Sequence, residues 1–155
     1  MRHENETTFF DLADNTALVC IDHQQYQKLV VPQLLDMGYK VHLGLFEDDV
    51  LVKLTTYSYH VVIIYEHFKG STVQTNPILQ EMTQRPGLHR REHFVVLLSQ
   101  RLATNDAITA FVHSVDLIMN VSDLANFKPV LRRGVAQYRE LYRGFQETLK
   151  AVEAL

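Results

Sequence analysis

The sequence predicts a three-layer α/β domain in which a parallel five-stranded sheet carries helices on both faces. Five short apolar runs are continuous rather than alternating, as strands covered on both sides are. The segments between them carry helical spacing or helix caps, which gives the order (βα)5 and, with right-handed crossovers, a parallel sheet. The chain has 155 residues, 46% of them apolar, enough for one core and too few for two ordinary domains.

Residues 1–15 show no sustained periodicity and read as an N-terminal extension to a domain spanning 16–155, with Phe9 and Phe10 available to pin it to the body. Ala17-Leu18-Val19-Cys20-Ile21, ending at Asp22, is the first strand. From Gln24 to Met37 the spacing predicts a helix with Leu29, Val30, Leu34 and Leu35 on one face, a kink at Pro32 and a left-handed stop at Gly38. Lys40 to Leu45 reads as the second strand. Glu47 to Tyr59 reads as a helix with acidic first-turn residues and Val50, Leu51 and Leu54 turned inward. His60 to Tyr65, the most β-branched run, is the third strand.

A loop from Glu66 to Thr75 follows, and Asn76-Pro77 opens a helix reaching about Gln84. Arg85-Pro86-Gly87 breaks it. His93 to Ser99 is the fourth strand, Thr104 or Asn105 caps a helix from Asp106 to Ser114, and Asp116 to Asn120 is the fifth strand. The remainder is helical.

Charge and composition exclude several classes. Fifteen basic against 18 acidic residues, with no basic block, leave no electrostatic footprint for nucleic acid. No apolar run approaches the ~18 to 20 residues that cross a bilayer. Met1-Arg2-His3-Glu4-Asn5-Glu6 is polar where a signal peptide is apolar, so the expected location is cytoplasmic. A single cysteine, Cys20, can build neither a disulfide nor a cysteine metal site and reads as a buried thiol.

In a parallel sheet, chemistry sits at the carboxyl ends of the strands. Those positions hold Ile21-Asp22, Tyr65 followed by Glu66, Ser99, and Asn120-Val121. In element order and strand-end positions, from Thr16 to about Leu149, the chain resembles the response-regulator receiver family of chemotaxis-receiver-like domains. The resemblance implies a flavodoxin-like fold and a place in two-component signalling. Receivers end their first strand with an acidic pair, their third with the phospho-accepting aspartate, their fourth with Thr or Ser, and their fifth with Lys-Pro. Only Asp22 and Ser99 fit, so what is implied is a pseudo-receiver with a degenerate phospho-site pocket of Asp22, Tyr65, Glu66, Ser99 and Asn120.

The departures have chemical consequences. An acyl phosphate needs a carboxylate oxygen, and the Tyr65 phenol, with an ordinary pKa of about 10, is a different group. Magnesium wants several oxygen ligands and only Asp22 remains, so its binding is expected to be weak or absent. Asn120 is neutral where an ammonium would meet the phosphoryl oxygens. No catalytic residue, no cofactor and no enzyme activity are expected.

Two other readings stay open. Glu66 lies one residue beyond the phospho-acceptor position. A bulge could bring it into line as the acid of an atypical phosphorylatable regulator, although a one-residue shift on a strand reverses the face. Otherwise it is a loop carboxylate, solvated or paired with Lys69. Asp22, His23 and His67, with Asn120, could form a small-ligand or metal sensor at the strand ends, zinc or nickel being the suited ions. His89 and His93 have the spacing of a helical metal pair, but Pro86-Gly87 precedes them and a surface loop fits better. Ser99 lacks a nucleophile-elbow motif, and no glycine-rich loop follows the first strand.

The final segment is the most informative for function. Leu131, Val135, Tyr138, Tyr142, Phe145, Leu149 and Val152 recur at alternating steps of four and three, a heptad seam. A helix from Pro129 to Ala154 would be ~39 Å long, more than a five-stranded sheet can cover. From Tyr142 on it should project and expose Phe145, Leu149, Val152 and Leu155. Arg132, Arg133, Arg139, Glu140, Arg143 and Glu147 lie off the seam, where charges set pairing geometry. The expectation is a phosphorylation-independent signalling or scaffold module that forms a homodimer through Tyr138, Tyr142, Phe145, Leu149 and Val152. A partner protein's helix is the competing occupant of that seam.

Overall fold

A computed structural model describes residues 14–84 and 93–154. The expected extension up to residue 13 with Phe9 and Phe10, the Arg85-Pro86-Gly87 break, His89 and Leu155 lie outside the described residues. The chain runs β1 (Thr16–Cys20), α1 (Gln24–Asp36), β2 (Lys40–Leu43), α2 (Glu47–Thr56), β3 (Val61–Tyr65), α3 (Pro77–Thr83), β4 (Phe94–Ser99), α4 (Ala107–Val112), β5 (Leu117–Asn120) and α5 (Phe127–Glu153). All strand pairs are parallel, in the order β2-β1-β3-β4-β5.

The two-residue repeat of a strand splits the apolar runs between two cores. Val19, Ile63, Tyr65, Val96, Leu98 and Met119 face α1 and α5, where Val30, Leu34, Phe127, Leu131 and Val135 meet them. Leu18, Cys20, Val62, Ile64, Leu97 and Ile118 face α2, α3 and α4, against Val50, Leu54, Ile78, Met82 and Ala110. Each fully buried aliphatic side chain stabilises by about 1.5–3 kcal/mol, so continuous runs of them fix the sheet as the central layer.

The helices depart from the sequence reading in detail. The stripe on α1 is narrower than its spacing suggests: Val30 and Leu34 are buried, while Leu29 and Leu35 are 43% and 56% exposed. A helix lying on a sheet touches it along one line, and those two residues fall on its flanks. The helix continues through Pro32, and Gly38 takes the expected left-handed turn at φ +90. On α2, Val50 and Leu54 are buried and Leu51 is half-buried.

Neither Thr104 nor Asn105 caps α4. Asp106 does, its carboxylate accepting from the Thr109 N–H (3.1 Å) and hydroxyl (2.7 Å). Asn105 takes a positive φ, and the Thr104 hydroxyl is drawn instead to Asp123 (2.5 Å). Only Ala110 of α4 is buried, and Ile108, Phe111 and Val112 are 79%, 84% and 69% exposed.

A 3-10 turn over Val121–Asn126 leads into α5, which starts two residues before Pro129 and at 27 residues is ~40 Å long. Gln33 ties α1 to this junction by donating to the Leu124 carbonyl and accepting from the Lys128 N–H, both at 2.8 Å. Phe127, Leu131 and Val135 are buried, Tyr138 and Tyr142 half-buried, and Phe145, Leu149 and Val152 exposed, so the seam leaves the domain as its spacing implies. Gly134 lets the helix lie close to β4, since a Cβ there would sit 3.2 Å from Phe94 Cζ. No helix among the described residues is long and apolar enough to cross a membrane.

Candidate functional site at the carboxyl ends of the strands

Tyr65 ends β3 and turns its ring toward α1. It meets Tyr26 edge-on at 5.4 Å and His67 at 5.6 Å, and His23 stacks on Tyr26 at 3.7 Å. The Tyr65 hydroxyl accepts from Gln100 Nε2 (3.0 Å). Burial, with Tyr26, Glu66 and Asp22 nearby, pushes the phenol's pKa above its ordinary value and keeps it protonated. Four rings therefore occupy the region where the resemblance implies a phospho-accepting aspartate.

Asp22 is exposed and serves the β3–α3 loop, its Oδ2 accepting from the Lys69 N–H at 2.9 Å. Lys69 has φ +54, a conformation a non-glycine residue keeps only when held, and this bond helps hold it. Its ammonium lies 4.4 Å from the Phe46 ring centre. Asn76 fixes the far end of the loop, capping α3 through Ile78 and Leu79 N–H and donating to the Tyr65 carbonyl (2.9 Å).

Glu66 is neither solvated nor paired with Lys69. Its N–H donates to the Leu98 carbonyl (3.0 Å), which carries the β3–β4 ladder one residue further and turns the side chain to the face opposite Tyr65. There it is fully buried. Oε2 accepts from the Gln100 N–H (2.6 Å) and the Ser99 hydroxyl (3.0 Å), with His67 Nε2 at 3.5 Å. Oε1 is buried with no hydrogen-bond partner among the described residues. The Ser99 oxygen accepts in turn from Arg101 N–H (3.1 Å) and Leu102 N–H (3.0 Å), so one carboxylate and one hydroxyl organise the start of the β4–α4 loop.

Asn120 completes that arrangement. Its Nδ2 donates to the Leu102 carbonyl (2.8 Å), its N–H to the Thr104 hydroxyl (2.8 Å), and its Oδ1 accepts from Ser122 N–H (3.0 Å). The amide thus fastens the β4–α4 loop to the end of β5.

The five strand-end residues fall in two groups, which Gln100 bridges by donating to the Tyr65 hydroxyl and to Glu66 Oε2. Asp22 and Tyr65 belong to the aromatic mouth and the Lys69 loop; Glu66, Ser99 and Asn120 are joined through Gln100, Leu102 and Thr104. Tyr26, Gln100 and Thr104 went unnoticed in the sequence as members of the site. A tyrosine three residues after His23 on a helix is the one available signal; Gln100 acts through both its backbone N–H and its side-chain amide, and neither is marked by a motif. Asp22, His23 and His67 are not gathered around a common point: His23 Nδ1 caps α1 by accepting from Tyr26 N–H (3.3 Å), and His67 Nδ1 lies 2.8 Å from the Ser71 carbonyl. Among the described residues, no group of three acidic, histidine or cysteine side chains is placed to hold a metal. His93 is not on a surface loop either. It is buried before β4, with Nδ1 2.7 Å from the Tyr59 carbonyl.

A second feature lies between α4 and α5, a groove of about 710 Å³ lined by Phe111, Val115, Tyr138, Leu141, Tyr142 and Phe145.

No family model and no curated protein matches the chain. Solved structures do. The signal receiver domain of a DNA-binding response regulator from Colwellia psychrerythraea is 12% identical, with a TM-score of 0.62 over 79% of this chain and 99% of its own. A Francisella response-regulator receiver domain is 14% identical, with a TM-score of 0.58 over 83% and 99%. A third similar chain, a yeast Spc42 trimeric coiled coil fused to another protein, is 19% identical, with a TM-score of 0.59 over 94% and 93%. At such identities the likeness is one of architecture: the chain has the flavodoxin-like fold of response-regulator receiver domains, lengthened by α5.

Proposed function

We propose that this chain is a pseudo-receiver, a phosphorylation-independent module of two-component signalling that works by binding proteins and by self-association through α5. The observation that carries this reading is the buried Glu66 carboxylate on the Ser99 hydroxyl and the Gln100 N–H. A phosphoryl oxygen brought to this end of the sheet would call on the same two donors. Here an internal carboxyl group already holds them, and Asn120 supplies no ammonium to draw a phosphoryl group in. Tyr65 supplies no carboxylate, and Asp22 alone is a poor magnesium site. The module has no catalytic residue and no metal cofactor.

Binding through surfaces is supported by the exposed apolar side chains of α4 and distal α5, which are more than scattered surface residues. The similarity to a chain that contains a trimeric coiled coil fits a role for the long helix in assembly.

The test is a beryllofluoride titration in magnesium, followed by amide NMR of the full chain. Unshifted Ser99 and Gln100 resonances are expected. Saturable, magnesium-dependent shifts at those residues would instead support the atypical phosphorylatable regulator using Glu66.

A further inference from the structure

The emerging half of α5 carries a regular pattern of charged and polar residues beside its apolar seam. Tyr142 and Leu149 take one core position of the heptad and Phe145 and Val152 the other. Arg139, Gln146 and Glu153 recur every seven residues along one flank of this seam, and Leu141 and Thr148 along the other. Leu141, Leu149 and Val152 are 77%, 47% and 60% exposed, and Arg139 and Glu153 are exposed on the flank.

We propose that the distal halves of α5 from two copies pair antiparallel, on a two-fold axis at Gln146. This rests on the self-association proposed above. In a parallel pair, opposite flanks meet, setting Leu141 near Gln146 and Thr148 near Glu153 of the second copy, and no charges are matched. In an antiparallel pair, like flanks meet. Arg139 then faces Glu153 of the second copy, Gln146 faces its own equivalent, and the axis repeats the ion pair. The core layers in that register are Phe145 against Leu149 and Tyr142 against Val152, aromatic on aliphatic throughout. The second copy's Val152 arrives at the lip of the groove lined by Phe111, Tyr138 and Leu141.

The contact is modest. A few apolar side chains with their flanking charges make a smaller contact than the roughly 800 Å² per partner of a standard interface, so association is expected to depend on protein concentration. Rim charges of this kind choose orientation and register more than they add affinity.

The experiment uses the full chain in sedimentation equilibrium, with spin labels on cysteines introduced singly. Arg139→Glu and Glu153→Arg should each weaken the dimer several-fold, and the double exchange should restore it to within about twofold. A label at Gln146→Cys should report a short interlabel distance. One at Glu153→Cys should report a clearly longer distance, above about 20 Å, because the two copies of that site lie 14 residues apart along the axis at ~1.5 Å each. Cys20 is fully buried and should not take the label. Equal distances at both sites, a trimeric mass, or failure of the double exchange to rescue would overturn the antiparallel register while leaving self-association standing. A chain that stays monomeric at several hundred micromolar would remove both.

Discussion

Glu66 Oε2 lies 3.0 Å from Ser99 Oγ across the ends of β3 and β4, and neither side chain reaches solvent. The carboxyl group is a strut: it accepts from the Ser99 hydroxyl and the Gln100 N–H, both of which lose that acceptor without it. Glu66→Ala should therefore destabilise the domain by about 2–4 kcal/mol, through stranded donors and a small cavity. Glu66→Gln keeps an acceptor oxygen and should cost less. Urea unfolding of both variants beside the surface control Glu140→Gln checks the order.

Ser99→Ala removes the hydroxyl that donates to Glu66 and accepts from Arg101 and Leu102 N–H. The expected loss is about 1–3 kcal/mol, with faster hydrogen exchange concentrated in the 100–105 loop. A loss spread evenly over the sheet would show that the hydroxyl packs rather than organises.

His60 gives the domain an acid-sensitive edge. Its Nδ1 accepts from the Thr16 N–H (3.1 Å), and partial desolvation of this otherwise exposed residue, together with the Arg139 guanidinium, lowers its pKa below the ordinary histidine value. The neutral ring is thus the form the fold prefers. The unfolded chain takes up a proton first as pH falls through the ordinary range near ~6.5, so stability should be full above that and decline below it. His60→Asn, which retains an acceptor without the titration, should flatten the profile between pH 7.5 and 5.5.

Cys20 lies on the α2 face of β1, fully buried, and burial with Asp49 nearby pushes its thiol pKa far up. Alkylation of the folded protein at pH 8 should be slow and limited by opening, and fast after denaturation. Gly44 is constrained by contact: a Cβ there would lie 2.4 Å from Val50 Cγ2, so Gly44→Ala should cost about 1–3 kcal/mol unless α2 shifts.

Much of this architecture is legible in the residues because its causes are local. Unbroken apolar runs such as Val61–Tyr65 require cover on both faces, Asn76-Pro77 carries its own cap, and Gly38 supplies the positive φ its helix end needs. The cap of α4 is not legible, because Thr104, Asn105 and Asp106 can each accept from a helix N-terminus and only the Asp123 and Ile118 contacts decide among them. The burial of Glu66 is hidden for a related reason. A carboxylate just past a strand end reads as solvated until Ser99 and Gln100, more than thirty residues later, are brought beside it. Leu29 and Leu35 show the reverse case, apolar residues placed on the flanks of a helix whose contact line is narrow.

The proposal that this domain takes up no phosphoryl group is tested most directly by intact mass after incubation with acetyl phosphate and magnesium. The mass should remain that of the unmodified chain, and Glu66→Gln should behave identically. A stoichiometric, magnesium-dependent, alkali-labile phosphoryl adduct that disappears in Glu66→Gln would contradict the account.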